Sequence, residues 1–272
     1  MPNLENVRLI AIDMDKTLIT DSGELPDRFT SLVKELAQVG VLVAIASGRP
    51  NYTLRGAMFP HLEDQVAFIS DNGGYVSYQG QALYQELIDP KNYQAMARFT
   101  ETIPHNIGVL CGLDGAYVTK EAKRYDEALR YYYYQLNYVD DLTQLDLPAN
   151  KFTIYLPNNN SKAHHDQDYA PKFGDDFSVA VSGLDWIDIT APGVDKGQGI
   201  SHLGQAEGIA PHQMLAIGDN YNDIPMLEVA AYSYAVANAH DDIKAVAKYL
   251  APSNNDHGVI QVMDQVLQAK QA

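Results

Sequence analysis

The run Arg8-Leu-Ile-Ala-Ile-Asp-Met-Asp-Lys-Thr-Leu18 constrains this chain more than any other stretch. Its apolar residues are consecutive rather than alternating, and they stop abruptly at two carboxylates, Asp13 and Asp15, one residue apart. A short apolar run bounded by charge is the pattern of a strand buried on both faces, as in a parallel sheet. In open sheets of that kind, ligands gather beyond the carboxyl ends of the strands, where these two acids fall. Neither can sit in a core unpaired, because removing a lone carboxylate from water is costly. A divalent cation would allow both to stay there charged. A bare D-x-D is equally the end of a strand entering a turn, so its meaning depends on what the other strand ends carry.

The next elements repeat the pattern. Asp27 to Gly40 reads as an amphipathic helix, with Phe29, Leu32, Val33, Leu36 and Ala37 on one face and Gly40 as its stop. A second buried strand, Val41–Ala46, ends in Ser47-Gly48-Arg49-Pro50, and a third, Val66–Ser70, ends in Asp71-Asn72-Gly73-Gly74. Tyr75–Ser77 and Ala82–Tyr84 form a hairpin around Gln79-Gly80. Strands separated by helices predict a doubly wound parallel sheet.

Between about residues 88 and 188 the texture changes to short alternating segments, among them Ile107–Leu110, Ala116–Thr119, Phe152–Leu156 and Ser178–Val181, interleaved with polar helical stretches. This block is expected to be a separate α+β domain inserted into the first. Its run Tyr131-Tyr-Tyr-Tyr134 reads as helix surface plus packing, and His164-His165 as a solvated pair, since adjacent helical residues point apart. The α/β texture then returns. Gly193-Val-Asp-Lys-Gly-Gln-Gly199 leads into a helix from about Ile200 to Glu207, and Met214–Gly218 is another buried strand ending in acids, Asp219-Asn-Tyr-Asn-Asp223. A helix over Ile224–Ala230, a strand over Tyr232–Val236 and a helix over Asp241–Leu250 follow. The G-x-x-x-x-G-K-[ST] string of a nucleotide-binding P-loop is absent.

Composition narrows the function classes. A chain of 272 residues, 46% hydrophobic and 20% charged, can bury one large core or two modest ones. The single cysteine, Cys111, excludes an intramolecular disulfide and a thiolate zinc cluster. There is no secretory signal pattern and no apolar run of roughly 18 residues, so a cytoplasmic protein that neither enters nor binds a membrane is expected. The formal net charge of −16 repels nucleic acid and anionic membranes at long range. An anionic small molecule remains an admissible substrate provided that local cations overcome the global field.

In a parallel sheet, strand ends far apart in sequence converge on one edge. Asp13 with Asp15, Ser47, and Asp219 with Asp223 therefore meet there, and Lys196 precedes a helix entering the same sheet. With these residues in place, the chain resembles the haloacid dehalogenase superfamily phosphatases of the Cof-type or IIB group, which carry a large α/β cap after the third strand. Asp13-Met-Asp-Lys-Thr-Leu resembles the first motif of that family, Ser47-Gly-Arg the second, Lys196 the third and Gly218-Asp-Asn-Tyr-Asn-Asp223 the fourth. Asp71-Asn-Gly73, Ala237-Asn-Ala239 and Asn254-Asn-Asp-His-Gly-Val259 are similar to further recurrent strings of the group. One departure stands out: Lys16 occupies the place of the usual glycine after the second aspartate, putting a cation beside the nucleophile.

The resemblance implies an α/β fold, a Rossmann-like doubly wound core built from residues 1–87 and 189–272, with residues 88–188 as an inserted α+β cap that selects the substrate. It implies hydrolysis of small phosphate monoesters, sugar phosphates or related metabolites, with Mg²⁺. Asp13 would be the nucleophile, forming an aspartyl-phosphate, and Asp15 the general acid and base. The metal would be held by Asp13, Asp219 and the backbone carbonyl of Asp15. Ser47, Gly48, Asn222 and Lys196 would bind phosphate, Lys196 also offsetting the charge of the nucleophile, and Asp223 would orient Lys196 or the metal's surroundings. A phosphomutase or phosphotransferase would use the same groups with a different acceptor. A receiver-type signalling domain shares the acidic pair, hydroxyl residue and lysine, but is about half this length and lacks both the inserted block and the distal acidic string. A non-catalytic binding protein finds support only in Lys16. The oligomeric state is not legible from the sequence.

Overall fold

The computed structural model describes residues 3–272. Two compact units emerge. The first comprises the described chain to Gly48, then Phe59–Tyr84 and Asp195–Ala272; the second comprises Arg49–Met58 and Gln85–Val194.

The first unit is built on an eight-stranded sheet. Its strands are β1 (Leu9–Asp13), β2 (Leu42–Ala46), β3 (Val66–Ser70), β4 (Tyr75–Tyr78) and β5 (Gln81–Gln85). They are followed, after six strands of the second unit, by β12 (Met214–Gly218), β13 (Tyr232–Val236) and β14 (Tyr249–Ala251). The order is β14-β13-β12-β1-β2-β3-β4-β5. Every pair from β14 to β3 is parallel, and β4 turns back antiparallel on β3. The central strands β1, β3 and β12 are buried along their whole length, which is why each reads as an unbroken apolar run. Register pairs Ile12 with Ile217 and Asp13 with Ala46, so Asp13, Ser47 and Asp219 leave the sheet at one edge.

The helix Arg28–Gln38 buries Phe29, Leu32, Val33 and Leu36, each burial contributing about 1.5–3 kcal/mol. Ala37, expected on the same face, is exposed; it lies at the margin of the apolar stripe, and its small side chain gains little from burial. A second correction concerns Asp241–Leu250. The helix stops at Val246, and Tyr249–Ala251 instead adds the short edge strand β14 to β13.

The second unit has its own six-stranded sheet of β6 (Ile107–Gly112), β7 (Ala116–Thr119), β8 (Leu136–Val139), β9 (Ala149–Tyr155), β10 (Ser178–Gly183) and β11 (Trp186–Thr190), ordered β10-β11-β9-β6-β7-β8. All neighbours are antiparallel except β7 and β8. One apolar cluster gathers around Phe152, Ile154, Ile187 and Ile189, and another around Val109, Cys111, Tyr155 and Trp186, the alternate residues of the same strands. The expected junction at residue 188 falls inside β11, all five residues of which are buried in this sheet. The unit also takes in Arg49–Met58, a segment whose sequence gives no sign of belonging there.

His164 and His165 are each held by an acid rather than solvated as a pair. Nδ1 of His164 lies 2.7 Å from Asp168 Oδ2, and Nδ1 of His165 lies 2.7 Å from Asp166 Oδ1. Among the described residues no helix is long and apolar enough to cross a membrane.

Candidate active site

At the carboxyl edge of the first sheet, three acids and one lysine share a buried space. Asp13 is the last residue of β1, Asp219 follows β12, and Asp223 closes the short turn Tyr221–Asp223. Each offers an oxygen within 4.8 Å of the others. Lys196, fully buried at the first position of the helix Lys196–Glu207, donates to Asp13 Oδ1 at 2.5 Å and to Asp223 Oδ1 at 2.6 Å. The helix start is fixed by Asp195, whose carboxylate accepts from the Gln198 N–H at 2.8 Å.

The three carboxylates are not equivalent. Asp223 is fully engaged: Oδ2 accepts from the backbone N–H groups of Asp219 and Asn220 at 2.9 and 3.0 Å, while Oδ1 faces Lys196. Gly218 makes room for it, since a Cβ there would lie 2.5–2.6 Å from the Asp223 side chain. Asp219 Oδ1 accepts from the Thr17 hydroxyl at 3.1 Å. Asp13 is different, because its Oδ2 is buried with no hydrogen-bond partner among the described residues. Burial, and then the nearby Asp223 charge, push the Asp13 carboxyl well above the ordinary range although Lys196 pulls the other way. Asp219 is raised for the same two leading reasons. Burial works against the Lys196 ammonium, but Asp13 and Asp223 more than offset it, and its pKa rises.

The other expected residues are arranged around this cluster. Asp15 is exposed, two residues beyond Asp13, and its carboxylate is not one of the three clustered acids. Ser47 is buried at the end of β2, its N–H donating to the Ile69 carbonyl at 2.9 Å and its carbonyl accepting from the Asn72 N–H at 3.0 Å. Asn222 donates to the Asn72 side-chain oxygen at 3.0 Å.

Asn72 is the site residue to which sequence reasoning gave no role. Its amide lies 3.3 Å from where a Cβ on Gly48 would stand, so it links Ser47, Gly48 and Asn222. Asp71, Asn72 and Gly73 have consecutive positive φ values of 50°, 55° and 101°. Backbone held in that region by non-glycine residues is strained and persists only when its surroundings over-determine it. Gly73 shows the constraint, since a Cβ there would lie 2.1 Å from the Asp195 carbonyl. The signal was the string Asp71-Asn-Gly after a buried strand, and Thr17 was likewise present in the first motif without an assigned task.

A profile of haloacid dehalogenase-like hydrolases matches residues 10–263. The chain belongs to that family. Its resemblance to the Cof-type phosphatase branch extends over nearly the whole length. The *Escherichia coli* (strain K12) protein YbjI, a 5-amino-6-(5-phospho-D-ribitylamino)uracil phosphatase, is 32% identical over 271 residues, covering 96% of this chain and 97% of that one. YwtE of *Bacillus subtilis* (strain 168), a phosphatase of the same name, is 25% identical over 294 residues, covering 98% and 100%. The crystal structure of SMU.1108c from *Streptococcus mutans* UA159 superposes with a TM-score of 0.86 at 29% identity, covering 96% of this chain and 99% of that chain. The protein is thus an enzyme of the phosphatase kind within this hydrolase family.

Proposed function

We propose that the enzyme hydrolyses small phosphate monoesters through a phosphorylated Asp13, with Mg²⁺ bound at the sheet edge. The observation that carries this reading is Asp13 itself: one oxygen is held by Lys196, and the other is buried beside Asp219 with no hydrogen-bond partner among the described residues. A buried carboxylate oxygen left unpaired is costly, and a hard cation with oxygen ligands is the group that such a donor set suits. Asp13 and Asp219 would hold Mg²⁺ together with the Asp15 carbonyl, while Asp223, engaged at both oxygens, keeps Lys196 and the Asp219 backbone in place. When bound, the cation offsets the negative charge of the phosphoryl oxygens.

An Asp13 carboxylate oxygen attacks phosphorus, forming the acyl phosphate as the bond to the leaving oxygen breaks. Asp15 gives that oxygen a proton. It then takes a proton from the water that attacks the acyl phosphate, releasing inorganic phosphate and regenerating Asp13. Lys196 balances charge at Asp13, and Ser47, Gly48 and Asn222 hold the phosphoryl oxygens, with Asn72 fixing Gly48 and Asn222. The second unit takes the role of the substrate-selecting cap. Because both named relatives act on a phosphorylated ribityl chain, a primary-alcohol phosphate of a sugar or ribityl group is the leading substrate class.

Rapid-quench labelling with ³²P-substrate and peptide mapping tests the reading. Asp13→Asn should abolish both label and turnover. Asp15→Asn should slow turnover by about 10²–10⁴-fold while labelled Asp13 accumulates on aryl phosphates. Label on Asp15, Ser47 or a histidine would refute it.

A further inference from the structure

Two asparagine-bearing strings, Ala237-Asn-Ala239 after β13 and Asn254-Asn-Asp-His-Gly-Val259 running into the last helix, Gly258–Gln271, have no part in the chemistry above. Both converge on the loop that carries Asp15. Asn238 donates from Nδ2 to the Lys16 carbonyl at 2.8 Å and accepts at Oδ1 from the Asn254 N–H at 3.0 Å. The buried Asn254 side chain donates to the Ile19 carbonyl at 3.1 Å and to Asp21 Oδ1 at 3.0 Å. Asn255 completes a two-way pairing with Asp21, donating to Oδ2 at 2.9 Å and accepting from the Asp21 N–H at 3.0 Å. The loop is therefore gripped one residue after Asp15, again at Ile19, which bridges to Asp15, and at Asp21.

The grip falls where the backbone most needs it. Lys16 has φ 63°, in the left-handed region that a non-glycine residue enters at a cost. Holding its carbonyl fixes the peptide plane between Lys16 and Thr17 and, with the bridge from Asp15 to Ile19, limits the directions the exposed Asp15 side chain can take. An acid that protonates a leaving group must sit within hydrogen-bond reach of it. An exposed carboxylate on an unsupported loop would spend little time there.

We infer that Asn238 and Asn254 are positioning residues for Asp15, clamping its loop so that the carboxyl group is presented to the leaving oxygen. The inference rests on the acid–base role proposed for Asp15, and neither asparagine touches a reacting atom. A clamp of this kind has a signature that general structural support lacks. Mispositioned acid hurts poor leaving groups, which need the proton, more than acidic phenols, which do not.

The test uses the full-length enzyme with Mg²⁺ and a series of phosphate monoesters running from nitrophenyl to alkyl. Asn238→Asp keeps the size and the acceptor for Asn254 but replaces the donor to Lys16 with an oxygen. Asn238→Ala, at an exposed position, removes the grip without adding charge and serves if the first variant does not fold. Either should lower kcat/KM for alkyl phosphates by about tenfold more than for nitrophenyl phosphate, part of the 10²–10⁴ that a positioned acid contributes. Asp15→Asn is run in parallel. If it steepens the leaving-group dependence and the Asn238 variants lower all substrates by one common factor, the clamp is refuted. If Asp15→Asn itself leaves the dependence unchanged, the acid–base reading of Asp15 falls, and the clamp with it.

Discussion

Replacing Lys196 with methionine probes the electrostatic centre of the molecule without opening a cavity, since the two side chains have similar length. Lys196 and Asp223 are both fully buried, and the ammonium is shared between Asp223 and Asp13 at 2.6 and 2.5 Å. Removing one partner of a buried ion pair leaves uncompensated charge and costs about 3–5 kcal/mol. In a chain of this size each kcal/mol moves the midpoint by about 2–4 °C, so the transition of the first unit should fall by roughly 6–20 °C. The deficit has a defined pH dependence. Asp13 already has a raised pKa, and losing the lysine raises it further. A carboxyl group whose pKa is higher when folded stabilises below its ordinary value of about 4 and loses that contribution as pH rises through the folded value. The melting deficit of Lys196→Met should therefore narrow on acidification and widen toward neutrality.

The companion variant is Asp223→Asn. Combined with Lys196→Met, it removes the stranded charge, so the double variant should be more stable than the sum of the two single losses by about 1–3 kcal/mol. Calorimetry in chelator resolves the transition and supplies the cycle. A single-variant midpoint close to the parent's, or strictly additive losses, would show that Lys196 does not neutralise these acids and would overturn the account of the site.

Chelation should abolish phosphatase activity and Mg²⁺ should restore it, read as phosphate release; full activity in a metal-free preparation would exclude the proposed coordination. Because burial and Asp223 raise both Asp13 and Asp219, protons compete with the cation. The increase in melting temperature given by saturating Mg²⁺ should then grow as pH rises through the raised values, and an increase independent of pH would contradict it. Gly73→Ala forces a Cβ against the Asp195 carbonyl at φ 101°. It should cost at least about 1–3 kcal/mol and weaken phosphate inhibition through Asn72, checked by melting and by the inhibition constant.

The fold was legible wherever burial is symmetric. Strands β1, β2, β3 and β12 lie among other strands with both faces covered, and each announces itself as an apolar run with a polar end. Legibility fails at sheet margins. Leu136–Val139 has one buried residue in four and is not among the segments expected to be strands, yet it pairs with β7. Tyr249–Ala251 is only three residues long and continues a helical pattern until pairing with β13 overrides it. The tyrosine run illustrates a different failure. The expected helix stops at Tyr132, so Tyr133 is buried packing beyond its end, while Tyr131 and Tyr134 are exposed. The same run also receives Arg49, which donates to the Tyr131 carbonyl at 2.9 Å and stands 5.1 and 5.2 Å from the ring centres of Tyr131 and Tyr132. Thr53 joins it, donating to the Tyr132 carbonyl and accepting from the Tyr134 N–H. These contacts use backbone atoms and ring faces about eighty positions away, and no local pattern encodes them.

Lys16 shows how far a motif carries and where geometry must take over. Its place in the first motif exposed it as a departure, and its charge beside Asp13 suggested altered chemistry at the nucleophile. The backbone gives another reason for the glycine usually found there: φ is 63°, a conformation glycine adopts freely and lysine at a cost of about 1–3 kcal/mol. Asn238 secures the strained residue by its carbonyl, so the conformation survives without the glycine. The charge also acts elsewhere than expected. It is felt at Asp21, where hydrogen bonds from Asn254 and Asn255 lead in lowering the carboxyl pKa and Lys16 adds to them. The lysine thus reinforces the ionised form of the carboxylate that Asn254 and Asn255 grip.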